Sequence, residues 1–268
     1  MKVRASSNDQ WRRAINVVFA LSQALAPGLA SLGLGQSIGS RSDAVATAIT
    51  PAGWAFVIWA PLFASCLAYA FDQARPSRMM NALYRRVGWL TAAAFLANTL
   101  WQVDVSLRGL KPLSVFLIFA LLGTVLLGHV RLASPATSLD RVHRWLAAPA
   151  LGALAGWISA AALVNIASVL KGSGHGAMTA VPSANVTIAI AVIALGTGLA
   201  AIIQTRHGAS PWFAAAFAWA LVGIVGANLQ DATGVALAAG CGAAVVAILT
   251  AVRLIEPQRR QRWLGALS

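Results

Sequence analysis

The sequence predicts an all-α fold, a polytopic membrane bundle of about eight transmembrane helices. Apolar runs of about 20 residues recur from end to end, the length that crosses a hydrocarbon layer about 30 Å thick. Of the 268 residues, 59% are hydrophobic and only 10% charged, against about 25% charged in a soluble domain. The few charges are also sorted: sixteen of the twenty Lys and Arg fall in alternate connections between the runs.

The first run covers 14–35. It follows MKVRASSNDQWRR and shares the basic start, short apolar stretch and A-x-A-like end of a cleavable leader. Its apolar character continues past Pro27 to Leu34, which favours a retained span. Cleavage would remove this helix and leave the orientation of the others unchanged. The second run, 52–72, begins within TPAGWAFVIWAPLF, where Pro51 and Pro61 bracket Trp54, Phe56 and Trp59. Further runs lie at 84–104, 111–132, 144–170, 183–203, 211–230 and 232–253. The longer connections, 36–51, 73–83, 133–143 and 171–182, carry the Gly, Ser, Pro and Arg of loops. KGSGHGAMTAVPS is the most flexible-looking of them. It divides a five-helix unit, 1–170, from a three-helix segment, 183–253, with a basic tail at 254–268.

The net charge of +13 is topological rather than a nucleic-acid footprint. With the N-terminus inside, the inner segments hold sixteen basic residues and the outer ones only Arg41, Arg108, Lys111 and Lys171. Inner loops are enriched in Lys and Arg, so both termini are expected in the cytoplasm. The tail RLIEPQRRQRW reads as a flanking anchor, with lipid binding as the alternative.

The residue types for catalysis are sparse. Seven acidic residues lie mostly at helix ends or in loops, with no general acid and base on one helix face. The histidines, 129, 143, 175 and 207, sit near loops and lack metal-ligand spacing. GLGQSIG at 33–39 has glycines but not the strand and helix of a phosphate loop. Cys66 and Cys241 fall in helices without redox spacing. Nothing here argues positively for an enzyme.

What stands out is polar and aromatic residues at membrane depth, which are expensive there and often functional. Trp54, Phe56 and Trp59 fall in the outer third of helix 2, about 3 to 10 Å below the boundary at 1.5 Å per residue. Asn98 and Trp101, three apart in helix 3, share a face. Helix 5 carries Trp157 near mid-membrane and Asn165 nearer the outer side; helix 7 carries Trp219 and Asn228. The plain readings are interfacial belt for Trp54, Trp101 and Trp212. For Asn98 and Asn165 the plain reading is helix-to-helix hydrogen bonds worth about 1 kcal/mol each. Asp104 and Asp231 read as solvated caps. Together, flat rings with a few convergent polar groups favour a small-molecule pocket.

Three stretches carry a resemblance. Pro51-Ala-Gly-Trp54-Ala-Phe56-Val-Ile-Trp59 resembles the entrance to helix 2 of the tryptophan-rich sensory protein family, also called the TspO or translocator protein family. Asn98-Thr-Leu-Trp101 is similar to its Asn-x-x-Trp in helix 3, and Trp157 to Asn165 to its helix-5 Trp…Asn at the same spacing. These motifs cover residues 14–170. Short members have five helices, so this chain resembles the longer bacterial branch, which implies a bacterial inner membrane. Trp59 follows Phe56 by three residues where four are expected, and no tyrosine follows Pro149. The resemblance implies that Trp54, Phe56, Trp59, Asn98, Trp101, Trp157 and Asn165 contact a flat hydrophobic ligand, a tetrapyrrole (porphyrin or haem) or a sterol, in a sensory or transport role. It implies no required cofactor and no bound metal. The expected partners are that hydrophobic small molecule and membrane lipid, with a second copy of the chain as a candidate. A secondary transporter using Asp104 and Asp231, and an intramembrane enzyme acting on a tetrapyrrole or isoprenoid, are the alternatives.

Overall fold

The computed structural model describes residues 6–174 and 182–265. Eight long helices run through it: α1 (Ser7–Leu25), α2 (Gly53–Ala74), α3 (Ala82–Arg108), α4 (Pro112–Ala133), α5 (His143–Gly172), α6 (Pro182–Arg206), α7 (Pro211–Asn228) and α8 (Thr233–Leu254). A short α9, Pro257–Leu264, follows. No strand occurs among the described residues. The helices alternate in direction. In α1 and α3, Arg12 and Asn16 bond to the carbonyls of Tyr84 and Gly88 in parallel register. In α4 and α5, Ser114 bonds Asn165 at one end while Gly128 abuts Leu151 towards the other. One end of the bundle therefore gathers the start of α1 and all of α9; we call it the terminal end and the opposite one the lid end.

Six of the eight helices are long and apolar enough to cross a membrane: α2 and α4 to α8. The other two, α1 and α3, hide polar groups against each other. Asn16 accepts from Thr91 Oγ1 at 2.6 Å, Asn98 donates to Gln23 at 2.8 Å, and Gln102 donates to the Gln23 carbonyl. Tyr69 of α2 joins through Thr91. At the terminal end Arg12 reaches Gln73 and the carbonyls of Met79 and Tyr84, and Arg85 bonds Asp9. Between helices such bonds remove the cost of a bare polar group in hydrocarbon.

The first span needs correction at both ends. A capping box, in which Ser6 and Asp9 bond each other's backbone, starts α1 at Ser7 rather than 14. It stops at Leu25 rather than 35, because Pro27 cannot carry the ladder on and Gly33 and Gly35 adopt positive φ. The tail is also more ordered than a bare anchor: α9 docks by Trp263, whose Nε1 donates to Gly208 O at 2.6 Å.

Small residues set the closest approaches, as expected where close packing rather than water drives helix association. Gly152 and Gly156 of α5 receive the start of α7; a Cβ on Gly152 would lie 3.0 Å from Ser210 Oγ, and one on Gly156 would overlap the Phe213 carbonyl. On its other side α7 offers Gly223 to Pro51 and Ala55, and Gly226 to Trp54. Ala52 N–H donates to Gly223 O, and Trp219 Nε1 to Ala55 O at 2.8 Å. Thus α7 is joined to α2 and α5 rather than merely lying beside them.

Candidate functional site

Two local departures from the α-helix build the aromatic site. The first turns of α2, Gly53–Ile58, are 3₁₀. Three residues per turn put positions i and i+3 on one face, so Phe56 and Trp59 point the same way despite a spacing of three. In α5, Pro149 lacks an N–H and its ring would meet the carbonyl four residues back. The helix widens into π turns over His143–Ala147 and Pro149–Ala153, and the Ala150 carbonyl gains Cys66 Sγ at 3.9 Å. Beyond them Leu154–Gly172 is regular and carries Trp157 and Asn165.

The rings then meet. Trp59 lies 6.1 Å from Trp101 and 6.0 Å from Trp157, the second pair edge-to-face. Phe56 meets Trp157 edge-to-face at 6.0 Å, and Phe63 stacks on Trp59 at 5.2 Å. Such pairs add about 0.5–1.5 kcal/mol each beyond area burial. The indole N–H groups of Trp59, Trp101 and Trp157 are buried and have no acceptor among the described residues. Asn165 accepts from Ser114 Oγ at 3.1 Å, while its Nδ2 is likewise buried without a partner. Buried donors are nearly always bonded; unpaired ones occur elsewhere in the bundle, Gln23 Nε2 and Gln73 Nε2 among them, but here four fall around one ring cluster beside a cavity.

Two cavities flank the cluster at the lid end. One, of about 40 Å³, is lined by Phe56, Trp101, Trp157, Asn165 and Ala220 of α7. The other, of about 210 Å³, is lined by Phe56, Trp59, Gln36, Gln102 and Ser106. Ile38 borders both. It belongs to a short helix, Ile38–Asp43, in the α1–α2 connection, which lies over the site as a lid. Gly35, at φ +99°, lets the lid touch the end of α3; a Cβ there would be 2.6 Å from Ser106 O. Gln36 N–H donates to Ser106 O, Ser106 Oγ to Gln36 O, and Arg41 to the carbonyls of Ser106 and Leu107. Lys171 and Asn228 hold the far part of the connection through the carbonyls of Ala46 and Ala48.

Five of the seven expected residues are thus together: Phe56, Trp59, Trp101, Trp157 and Asn165. The other two stand apart. Trp54 is 50% exposed and packs edge-to-face on Trp219 at 5.4 Å. Asn98 is fully buried in the α1–α3 seam, bonded to Gln23, the plain reading of that residue. Trp101 is buried and no belt residue. Asp104 is not a solvated cap, since it is buried and ion-paired with Arg108 one turn on. No described histidine lines either cavity, and His175 lies outside the described residues. Sequence reasoning missed Ile38, Gln102 and Ala220. Gln102 follows Trp101 directly and signals a second polar group at that depth; Ala220 had no signal.

Among known protein families, the model of TSPO-like proteins matches residues 13–252. That match runs through α8, well past the residues 14–170 that carry the sequence motifs. Comparison with curated proteins and with solved structures gives no match. With its aromatic cluster at one end of a helical membrane bundle, the chain belongs to the TSPO-like protein family.

Proposed function

We propose that this integral membrane protein is a receptor or carrier for a flat hydrophobic ligand, tetrapyrrole-like or sterol-like, held at the Trp59–Trp101–Trp157 cluster. The observation that carries the reading is the three convergent indoles with unpaired, buried N–H groups. Their faces suit a planar apolar body, and their edges suit acceptor atoms on its rim. A porphyrin with carboxylate side chains offers both, and so does a sterol hydroxyl to a lesser degree. Sites for drug-sized ligands run to about 300–1,000 Å³, more than the cavities of about 40 and 210 Å³. The ligand is therefore admitted by displacement of the lid and rotation of the rings.

Titration of the purified protein by tryptophan fluorescence tests this. Metal-free porphyrin and haem are expected to bind with affinities within about tenfold, or 1.4 kcal/mol, because no histidine among the described residues lines either cavity to supply an axial bond. Trp157→Ala deletes two edge-to-face pairs at about 0.5–1.5 kcal/mol each and weakens both ligands; Asn165→Ala weakens them less. Unchanged affinity in Trp157→Ala would remove the cluster from the binding site. Binding of a sterol but of neither porphyrin would keep the pocket and overturn the tetrapyrrole assignment.

A further inference from the structure

A further cavity lies at the terminal end, away from the aromatic site. It has a volume of about 540 Å³ and is bordered by the end of α4, the end of α6 and the first turn of α9. Three guanidiniums line it, Arg206, Arg259 and Arg262, with His207 beside them. The one carboxylate in the lining, Glu256, is already engaged, bonded to Arg259 at 2.5 Å and within 3.7 Å of Arg253. Arg206 is exposed and has no hydrogen bond or ion pair among the described residues. Arg262 gives one nitrogen to the carbonyls of Leu132 and Ser134, both at 2.7 Å, and its Nε is buried without a partner. The cavity is thus positively charged in excess, and Trp263 fixes its α9 wall by bonding Gly208 and stacking on His129.

The surface leading away from it is apolar. Leu195, Leu199 and Ile202 of α6 are all exposed, and with Arg206 they are spaced four, three and four, one stripe along one helix face. That stripe runs from hydrocarbon depth to the guanidinium, and α6 is the least buried of the six apolar helices. We propose that this cavity binds the phosphate headgroup of an anionic phospholipid from the adjacent leaflet, its acyl chain lying along the α6 stripe. A soluble phosphate has the same headgroup chemistry but makes no use of the stripe, which is why the lipid is the source assigned. Basic pockets at helix ends hold anionic headgroups by attraction from each Lys or Arg near the membrane surface.

Purified full-length protein in detergent is titrated with dioleoyl phosphatidylglycerol, dioleoyl phosphatidylcholine or inorganic phosphate, and bound lipid is counted by native mass spectrometry. Phosphatidylglycerol is expected to bind about tenfold more tightly than phosphatidylcholine, and Arg206→Gln to lower its affinity about fivefold. Arg206→Gln/Arg259→Gln lowers it further, and Arg206→Lys restores most of it. Lys111→Gln removes the same charge at the lid end and leaves the affinity unchanged. Equal losses in Lys111→Gln and Arg206→Gln would show that overall charge holds the lipid, and would overturn the proposal. Undiminished phosphatidylglycerol binding in the folded double variant would overturn it too. Displacement of the lipid by inorganic phosphate alone would assign the cavity to a soluble anion and refute the lipid.

Discussion

Replacing Gly156 by alanine forces α5 and α7 apart, and the packing sets the size of the effect. A Cβ at this position would overlap the Phe213 carbonyl oxygen and lie 3.0 Å from its carbon and 3.1 Å from Phe217 N. All three are backbone atoms, so no side chain can rotate out of the way. Ordinary carbon contacts are about 3.5–4.0 Å, so the helices must separate, and overpacking of this kind costs about 1–3 kcal/mol. Alanine's better helix propensity returns about 1 kcal/mol. A net loss of up to about 2 kcal/mol lowers the melting temperature by up to roughly 8 °C for a chain of this size. Gly123 in α4 has nothing within 4 Å of its Cβ position, so Gly123→Ala keeps only the propensity gain and holds or raises the melting temperature. Thermal unfolding of both variants in one detergent, followed by tryptophan fluorescence, makes the comparison. Porphyrin affinity also falls in Gly156→Ala, because Trp157 is the next residue and Ala220 of the displaced α7 lines the same cavity. Equal melting temperatures for the two variants would refute the close α5–α7 contact.

Three further outcomes are expected. The Arg85 guanidinium bonded to Asp9 holds its carboxyl well below the usual carboxylate range, against the opposing effect of burial. A lowered folded pKa stabilises above the unfolded value of about 3.9 and is lost as the pH falls below it. Melting temperature therefore drops on acidification below about pH 4, whereas Asp9→Asn is less stable at neutral pH and lacks that part of the drop; identical acid profiles would dismiss the pair. Arg41→Ala removes the guanidinium bonds to Ser106 and Leu107, so stopped-flow quenching by porphyrin speeds up severalfold, and an unchanged rate would show that the lid is not the barrier. A membrane-impermeant thiol reagent applied to intact cells labels Ser40→Cys and Ser173→Cys but not Ser77→Cys, and the reverse pattern would invert the orientation.

Hydropathy and charge sorting made the eight helices legible, since crossing a membrane imposes length and composition on each segment independently of its neighbours. It is less direct for α1 and α3, whose polar groups make sense only once Gln23 is known to meet Asn98. Similarly, the ring cluster could be read from Trp59, Trp101 and Trp157, because large aromatics at depth are conspicuous one by one. The departure at Trp59 looked like a misfit with the family motif, yet the 3₁₀ turn absorbs it. A spacing of three is on-face in that geometry and nearly so in an α-helix, and one sequence does not say which will form. Trp54 misled for the opposite reason: its neighbour, Gly226, is 172 positions away and carries no side chain to announce the contact. Helix α9 is eight residues long, too short to be stable alone, and its order comes from Trp263 docking on Gly208.

The polar seam between α1 and α3 has a consequence for how the chain is made. Synthesis completes α1 before Asn98, Thr91 or the Gly88 carbonyl exists to receive its polar groups. Alone in the bilayer, Gln23 would face lipid without Asn98, and Asn16 would keep only the bond from its Nδ2 to Arg12 O within the same helix. Insertion of α1 is then expected to be completed only when α3 emerges and the two helices partition together, with α2 between them in sequence and packed beside them through Tyr69. A ribosome stalled ahead of residue 82 leaves α1 lying along the headgroups, polar face outward.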